Sequence, residues 1–314
     1  MNIGKKPLHD PRIALALEAL RALEYGLEVI DLPIACGDQV ISLIGIKDVD
    51  EDRSLGDYQN MSYFLLRQGV GAVVIDPGIR QGKMIRDILG IQECDVIFTH
   101  FHLDHWIGYE PYIGQKFYSS QICKSVLSQM VGIEKTGKSI FVEGRLTDYH
   151  RRATPVRAVN DAERLLPIKE KIIEVDPEHI YRNPDFHLRF FELPFGQTEG
   201  TLYGMLKTPE IKVAFAGDLF VIIKGRLRVE PHYAFKSKEG VIGDITVALR
   251  ALLGKETSGV KLPPNCKVLM EELGYPDKLA MGHGFIDFMA NKGDIEHLLQ
   301  ELEELLRIER EHII

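Results

Sequence analysis

Thr99-His100-Phe101-His102-Leu103-Asp104-His105 decides how the rest of the chain is read. Three histidines and an aspartate fall within six positions. They follow an apolar run, Asp95-Val96-Ile97-Phe98-Thr99, whose continuous hydrophobicity predicts a buried strand. His100 and His102 are two residues apart, so on an extended backbone their side chains leave on the same face. Asp104 and His105 lie just past them, where the chain must turn. A lone histidine at a strand end is an ordinary surface residue, but four such donors in one turn form a cation site. Neutral imidazole and carboxylate are borderline-to-hard donors, which suits zinc, iron or manganese better than copper(I).

Composition narrows the classes around that site. With 314 residues, 45% hydrophobic and 27% charged, the chain is an ordinary globular protein, long enough for one large α/β domain or two smaller ones. A net charge of -8 argues against a general nucleic-acid binder, which needs a basic footprint. Cys36, Cys94, Cys123 and Cys266 are far apart and form no CxxC pair, so reduced thiols in a cytoplasmic protein are expected. The apolar residues from 13 to 27 are interrupted by Glu18, Arg21 and Glu24, unlike a secretory leader. No run is long enough to span a bilayer, so no membrane association is expected.

Taken in order, Asp10-Pro11 reads as an N-cap followed by Pro at the first helical position, with Gly26 as a stop. Residues 1–27 are therefore an N-terminal helical extension. Strands are predicted at 28–34, 39–46, 61–67 and 72–76, the last running into Asp76-Pro77-Gly78 and delivering a carboxylate at a tight turn. A short helix at 80–90, a strand at 116–119 and a helix at 120–131 follow. Residues 133–183 read as an irregular insertion or flap. Strands resume at 186–193, 201–207, 211–216 and 220–223, with helices near 241–253 and 264–273. Residues 286–314 carry a C-terminal amphipathic helix with apolar residues from Ile295 to Ile308, packed on the body or serving a homodimer contact. Two runs of strands, each followed by helices, suggest two packed sheets with helices outside in a single domain, 1–314.

Further ligands are expected at other strand ends. Asp218 follows Val213-Ala214-Phe215-Ala216-Gly217, and His283 stands between Gly282 and Gly284 after Lys278-Leu279-Ala280-Met281. Each is weak alone, because an Asp after a strand is usually a turn former or cap. Their order after the histidine cluster is what counts.

Together with Asp76-Pro77-Gly78, Phe195-Gly196-Gln197-Thr198, Ala216-Gly217-Asp218 and Gly282-His283-Gly284, the cluster resembles the metallo-β-lactamase fold superfamily, in the family's order from about residue 28 to 285. The resemblance implies an α/β fold (α+β by some schemes), an αββα four-layer sandwich of two packed mixed β-sheets with helices outside and the metals at one edge. It implies that His100 and His102 hold one metal, that Asp104, His105 and His283 hold a second, and that Asp218 bridges both. Asp76 would support the site from behind by orienting a ligand. The cofactor would be Zn2+, two ions or one strong and one weak, with iron or manganese as alternatives.

One position departs from the pattern. Gln197 stands where the family usually places a third histidine for the first metal. An amide oxygen is a weaker donor to zinc than imidazole. Gln197 could ligate through its oxygen, hydrogen-bond to a metal-bound water, or be replaced by His187 or Glu199; the favoured reading is a weakened first position with Gln197 near it.

The resemblance implies a metal-dependent hydrolase in which a metal-activated hydroxide, oriented by Asp104, cleaves an ester, thioester, lactone or phosphoester bond. Tyr149, His150, Arg151 and Arg152, in an arginine-rich stretch of an acidic protein, would suit a rim for an anionic small molecule. Trp106 and Tyr109 are read as packing or pocket wall. The loss of a first-site histidine keeps two alternatives open: a mononuclear iron oxygenase of the persulfide dioxygenase type, and a degenerate metal-stabilised binding protein without turnover. Finally, Gly132-Ile133-Glu134-Lys135-Thr136-Gly137-Lys138-Ser139 matches the P-loop pattern, but that loop works only between a strand and a helix. Here a helix is predicted before it and a strand, Ile140-Phe141-Val142, after it, so no nucleotide site is expected.

Overall fold

Period-two alternation along the strands sorts the apolar residues into three layers, and this sorting builds the architecture. The computed structural model describes residues 10–23, 26–37, 39–48, 60–67, 70–79, 81–106, 108–131, 141–142, 171–175, 180–183, 186–193, 200–223, 226–229, 238–253, 255, 275–283 and 292–311. Along β2 (Gln39–Asp48) and β3 (Met61–Arg67), Ile41, Leu43, Tyr63 and Leu65 face one way, and Ile44, Ile46, Phe64 and Leu66 the other. The first set meets residues of a second sheet, including Leu188, Phe190, Leu206, Val213 and Phe215, in a core between the sheets. The second set packs under helices α1 (Pro11–Arg21), α2 (Gly82–Leu89) and α3 (Gln121–Gln129) through Leu17, Leu20, Ile85 and Leu127. Each fully buried aliphatic or aromatic side chain contributes about 1.5–3 kcal/mol of burial free energy.

Among the described residues, the first sheet has seven strands. β1 (Leu27–Cys36), β2, β3 and β4 (Val70–Ile75) run antiparallel. β5 (Cys94–Ile97), β6 (Lys116–Ser119) and, after the two-residue strands β7 (Met130–Val131) and β8 (Phe141–Val142), β9 (Ile172–Glu174) continue the sheet in parallel with β4. The second sheet has six strands among the described residues. It is antiparallel through β10 (Ile180–Asn183), β11 (Phe186–Leu193), β12 (Thr201–Lys207), β13 (Lys212–Ile223) and β14 (Arg226–Arg228), and β15 (Lys278–His283) joins β13 in parallel. Its outer face, with Phe191, Tyr203, Met205, Leu279 and Met281, is covered by α4 (Lys238–Leu252) and α5 (Lys292–Glu311) through Ile245, Leu249, Ile295, Leu299 and Leu302. Both sheets are mixed, and the order of layers is helix, sheet, sheet, helix, as the sequence predicts.

Several local expectations need correction. The stretch 133–183 is not irregular throughout: β9 extends the first sheet and β10 forms a hairpin with β11. Both strands are too short to show a period. The α1 cap is as expected, with Asp10 accepting from Arg12 N at 2.8 Å, but the helix ends at Arg21, capped by Ala22, before Gly26. The helix expected at 264–273 lies outside the described residues. So does the P-loop-like stretch itself, but β7 and β8 on its two sides pair antiparallel with each other. The described segment after it, Phe141–Val142, is thus a strand and not the helix whose N-terminus a phosphate loop needs.

Candidate metal centre

Sheet pairing brings four separate pieces of chain to one end of the sandwich. β4 runs into Asp76 and β5 leads into Thr99 and His100; β13 carries Asp218 and β15 ends in His283. β5 itself stops at Ile97, and the ligand loop descends through a single helical turn at Leu103–His105. The His100 and His102 rings still converge, with centroids 4.5 Å apart, and His100 and His105 lie 4.0 Å apart.

Asp218 does not sit at a strand end as the sequence suggests. β13 continues to Ile223, and Asp218 falls in an irregular stretch where the pairing with β15 slips twice, between Phe215 and Gly217 and between Gly217 and Val221. A bulge re-aims the side chain while the strand carries on. It requires small residues. Gly217 has φ 49°, and a Cβ there would lie 2.8 Å from Thr99 Oγ1. A Cβ on Gly282 would run into Asp218 Oδ1 and come within 2.7 Å of His105 Cε1.

The donor atoms gather into two groups that share Asp218: His100 and His102 on one side, Asp104, His105 and His283 on the other. Asp218 Oδ2 lies 3.4 Å from His100 Nε2, 4.0 Å from His102 Nδ1 and 3.3 Å from His283 Nε2. Asp218 Oδ1 lies 3.1 Å from His105 Nε2. Asp104 Oδ2 stands 3.4 Å from His283 Nε2 and 3.7 Å from His105 Nε2. Donors held at about 2.1 Å from one tetrahedral ion are themselves about 3.4 Å apart, so the spacing fits shared cations. The hydrogen bonding fits as well: His100 Nε2, His105 Nε2, Asp104 Oδ2 and Asp218 Oδ1 are buried without a hydrogen-bond partner among the described residues. Buried polar atoms are rarely left so, and four aimed into one space fit a shared cation.

Asp76 anchors the group from behind. Its backbone takes φ 50°, an uncommon conformation for a residue with a side chain. Its carbonyl is held there by Ser62 Oγ at 2.7 Å and Gly78 N at 2.7 Å. Its carboxylate accepts from Thr99 N at 2.7 Å, from Thr99 Oγ1 at 2.6 Å and from His105 Nδ1 at 2.9 Å. With Nδ1 donating to a carboxylate, Nε2 of His105 is the nitrogen that faces Asp104 and Asp218, and it is the one a cation would take in place of its proton.

The family described as the metallo-beta-lactamase superfamily matches residues 55–259, more than half of the chain. The chain belongs to the metallo-β-lactamase superfamily. Members of this superfamily are typically metal-dependent hydrolases. Among solved structures, the chain is similar to a metallo-β-lactamase with an HARLDQ motif from Cronobacter sakazakii (12% identity, 85% of this chain and 92% of that one, TM-score 0.48). It is also similar to metallo-β-lactamase IND-7 (14%, 88% and 98%, TM-score 0.49) and to a metallo-β-lactamase from Pontibacter korlensis (12%, 87% and 99%, TM-score 0.47). Comparison with curated protein sequences finds no match.

The electrostatics of this superfamily member express the same need for a cation. Burial opposes charge on His283, but Asp218 and Asp104 outweigh it and raise the imidazole to about 10. Burial also opposes charge on His105, and Asp218, Asp76 and Asp104 raise it well above the usual range. His100 goes the other way, to about 4, through burial and the neighbouring charge of His105. Asp104 and Asp218 are held as carboxylates: burial disfavours their charge, but His105 and His283 overcome it. In the absence of an ion, protons on His105 and His283 balance the carboxylates.

Of the residues named from sequence, His100, His102, Asp104, His105, Asp218, His283 and Asp76 come together. Gln197, Glu199, Tyr149, His150, Arg151 and Arg152 lie outside the described residues. His187 cannot replace a ligand. It is exposed on β11, six residues before Leu193, the strand's end nearest the site, and so about 20 Å from it. Trp106 and Tyr109 are packing residues, each 1% exposed, and Trp106 Nε1 donates to Phe101 O at 3.0 Å. Sequence reasoning missed Thr99, Asn60 and Ser62. Their signal lies in partners far along the chain, although the alternation of β3 does separate Ser62 from the inter-sheet residues.

Proposed function

We propose that the chain is a metal-dependent hydrolase that cleaves an ester, thioester, lactone or phosphoester bond in an anionic small molecule. The observation that carries this reading is Asp218, a buried carboxylate shared by two groups of donors, in which His100 Nε2, His105 Nε2, Asp104 Oδ2 and Asp218 Oδ1 are buried without a hydrogen-bond partner among the described residues. When bound, divalent ions polarise a substrate oxygen and bring the pKa of a water toward neutrality. The protein supplies the rest. His100 and His105 are fully buried, while Asp104 and His283 are 22% and 19% exposed at their side chains, so substrate approaches over Asp104 and His283. Asp104, kept as a carboxylate, accepts a hydrogen bond from the attacking water and orients it. No side-chain nucleophile is needed. The thiols of Cys94 and Cys123 are pushed up by burial, Cys94 to about 12, and are inert.

The two positions are unequal in this reading, because Gln197 offers an amide where the superfamily usually has imidazole. Described residues on β11 and β12 reach the donor groups: Leu193 pairs with Thr201, and Leu202 N donates to Thr99 O at 2.7 Å, next to His100. The test is metal analysis of the purified protein together with a panel of ester, thioester, lactone and phosphodiester substrates. Asp104→Ala is expected to lower kcat by about 10²–10⁴. Turnover that survives it overturns the mechanism. Metal content near one per chain, rising toward two in Gln197→His, is expected for unequal positions; unchanged stoichiometry overturns that part.

A further inference from the structure

Thr99 precedes the first histidine of the cluster and is fully buried. Its hydroxyl has one proton and two neighbours: Asp76 Oδ2 at 2.6 Å and His100 Nδ1 at 3.1 Å. A carboxylate oxygen only accepts, so the shorter contact takes the hydroxyl proton. The hydroxyl oxygen is then an acceptor toward His100, and Nδ1 must be the nitrogen that carries hydrogen. Nε2 of His100 is left with its lone pair, buried, 3.4 Å from Asp218 Oδ2 and without a hydrogen-bond partner among the described residues. Asp76 Oδ2 is also the atom that accepts from His105 Nδ1. One carboxylate oxygen therefore sets rings that belong to the two different donor groups, His105 directly and His100 at one remove.

The packing leaves His100 little else to rely on. Thr99 N is bound to Asp76 Oδ1, and Gly217 lies so close that an added Cβ would sit 2.8 Å from Thr99 Oγ1 and 3.7 Å from His100 Nδ1. No water fits between threonine and imidazole at 3.1 Å.

We infer that Thr99 is a positioning residue, whose hydroxyl passes the anchoring of Asp76 on to His100 and thereby couples the two donor groups from beneath, independently of Asp218. This rests on the reading of those groups as metal ligands. Outer partners of ligating histidines change metal affinity by about 10–100-fold when removed. Without the hydroxyl, His100 Nδ1–H loses its acceptor, and the ring can rotate or change tautomer.

The experiment is a Co2+ titration of the metal-free full chain, followed by visible absorption, in two backgrounds. His283→Ala retains His100, His102 and Asp218; His100→Ala removes the ring that Thr99 is held to orient. Thr99→Val in the His283→Ala background is expected to weaken Co2+ binding about 10–100-fold and to alter the absorption envelope, while Thr99→Ser stays within about threefold of the parent. In the His100→Ala background Thr99→Val is expected to change little, because the group it acts through is gone. An equal loss in both backgrounds overturns the inference in favour of general damage, as does a Thr99→Val variant that binds like its parent. If Thr99→Val does not fold, as judged by circular dichroism in EDTA, Thr99→Ala and Thr99→Ser are compared instead, and equal affinity of the two overturns it. Absence of Co2+ binding by the unmutated chain is a separate result that removes the metal reading itself.

Discussion

Asn60 Nδ2 donates to the backbone carbonyl of Asp104 at 2.8 Å, joining residues 44 apart in the chain. Asn60 immediately precedes β3, so a regular strand sets the position of the loop that carries Asp104. The same amide reaches Asp76 O at 3.4 Å, and Ser62 Oγ both donates to that carbonyl and accepts from Gly78 N at 3.0 Å. Gly78 lies against Asp104 so closely that a Cβ there would collide with the Asp104 carbonyl. Asn60→Ala leaves the Asp104 carbonyl without this partner in a largely buried setting. Urea unfolding is expected to show a loss of about 1–3 kcal/mol, with a larger fractional loss of kcat than of substrate affinity, because Asp104 shifts while the pocket stays. Unchanged unfolding would mean that water replaces the amide.

Asp218→Ala should empty both donor groups, whereas His283→Ala should affect one. Elemental analysis after identical loading is expected to give clearly less metal per chain for Asp218→Ala than for His283→Ala. Similar content in the two variants would show that Asp218 does not bridge.

Gly282→Ala tests whether close packing behind the ligands matters. The added methyl meets Asp218 Oδ1 and His105 Cε1, atoms that cannot retreat without losing their geometry. Overpacking of this kind costs about 1–3 kcal/mol. Here the loss should appear mainly as weakened metal binding, because relief moves Asp218 or His105. A variant as stable as the parent that binds metal equally well would show that β15 shifts freely.

How much of this was legible beforehand follows from the range of each signal. The layered fold and the His100–His105 cluster are local: alternation, an apolar strand and dense ligands all lie within a dozen residues of one another. His283 and Asp76 are strand-end features beside glycine and were readable for the same reason. Asp218 was legible as a candidate but not in its place, since a bulge inside β13 depends on the register with β15, some 65 residues away. His187 is near Gln197 in the sequence, but that nearness does not reveal which end of β11 it occupies. β9 and β10 were hidden because strands of three and four residues are too short for a period to emerge. Thr99 and Asn60 are anchored by hydrogen bonds to residues far along the chain, Asp76 and Asp104, and those leave no pattern at all.

Removing and restoring metal should change how stability depends on pH, and the sign can be worked out. In the metal-free protein His283 sits at about 10, above its ordinary value of 6.5. Its protonation therefore stabilises the fold fully below about pH 6.5, and this contribution is lost as pH rises from there through 10. Asp104 and Asp218 are depressed, so their contribution is present above the ordinary carboxylate range and is lost as pH falls below it. His100, lowered to about 4, costs stability progressively as pH falls from about 6.5 to 4, where the unfolded chain binds the proton more readily, and that cost stays in full below pH 4. A metal ion takes the place of the protons on His283 and His105, because ligating imidazole must be neutral. Urea unfolding in EDTA is thus expected to lose stability between pH 7 and 9.5, and the loaded protein is expected to lose much less. At 100-fold excess over its dissociation constant a single ion adds about 2.7 kcal/mol, so the two curves should diverge toward alkaline pH. Metal uptake at pH 8 should release protons, visible calorimetrically as a dependence of the apparent enthalpy on the buffer's ionisation heat. Parallel curves with no proton release would mean that the ion does not bind at His283 and His105.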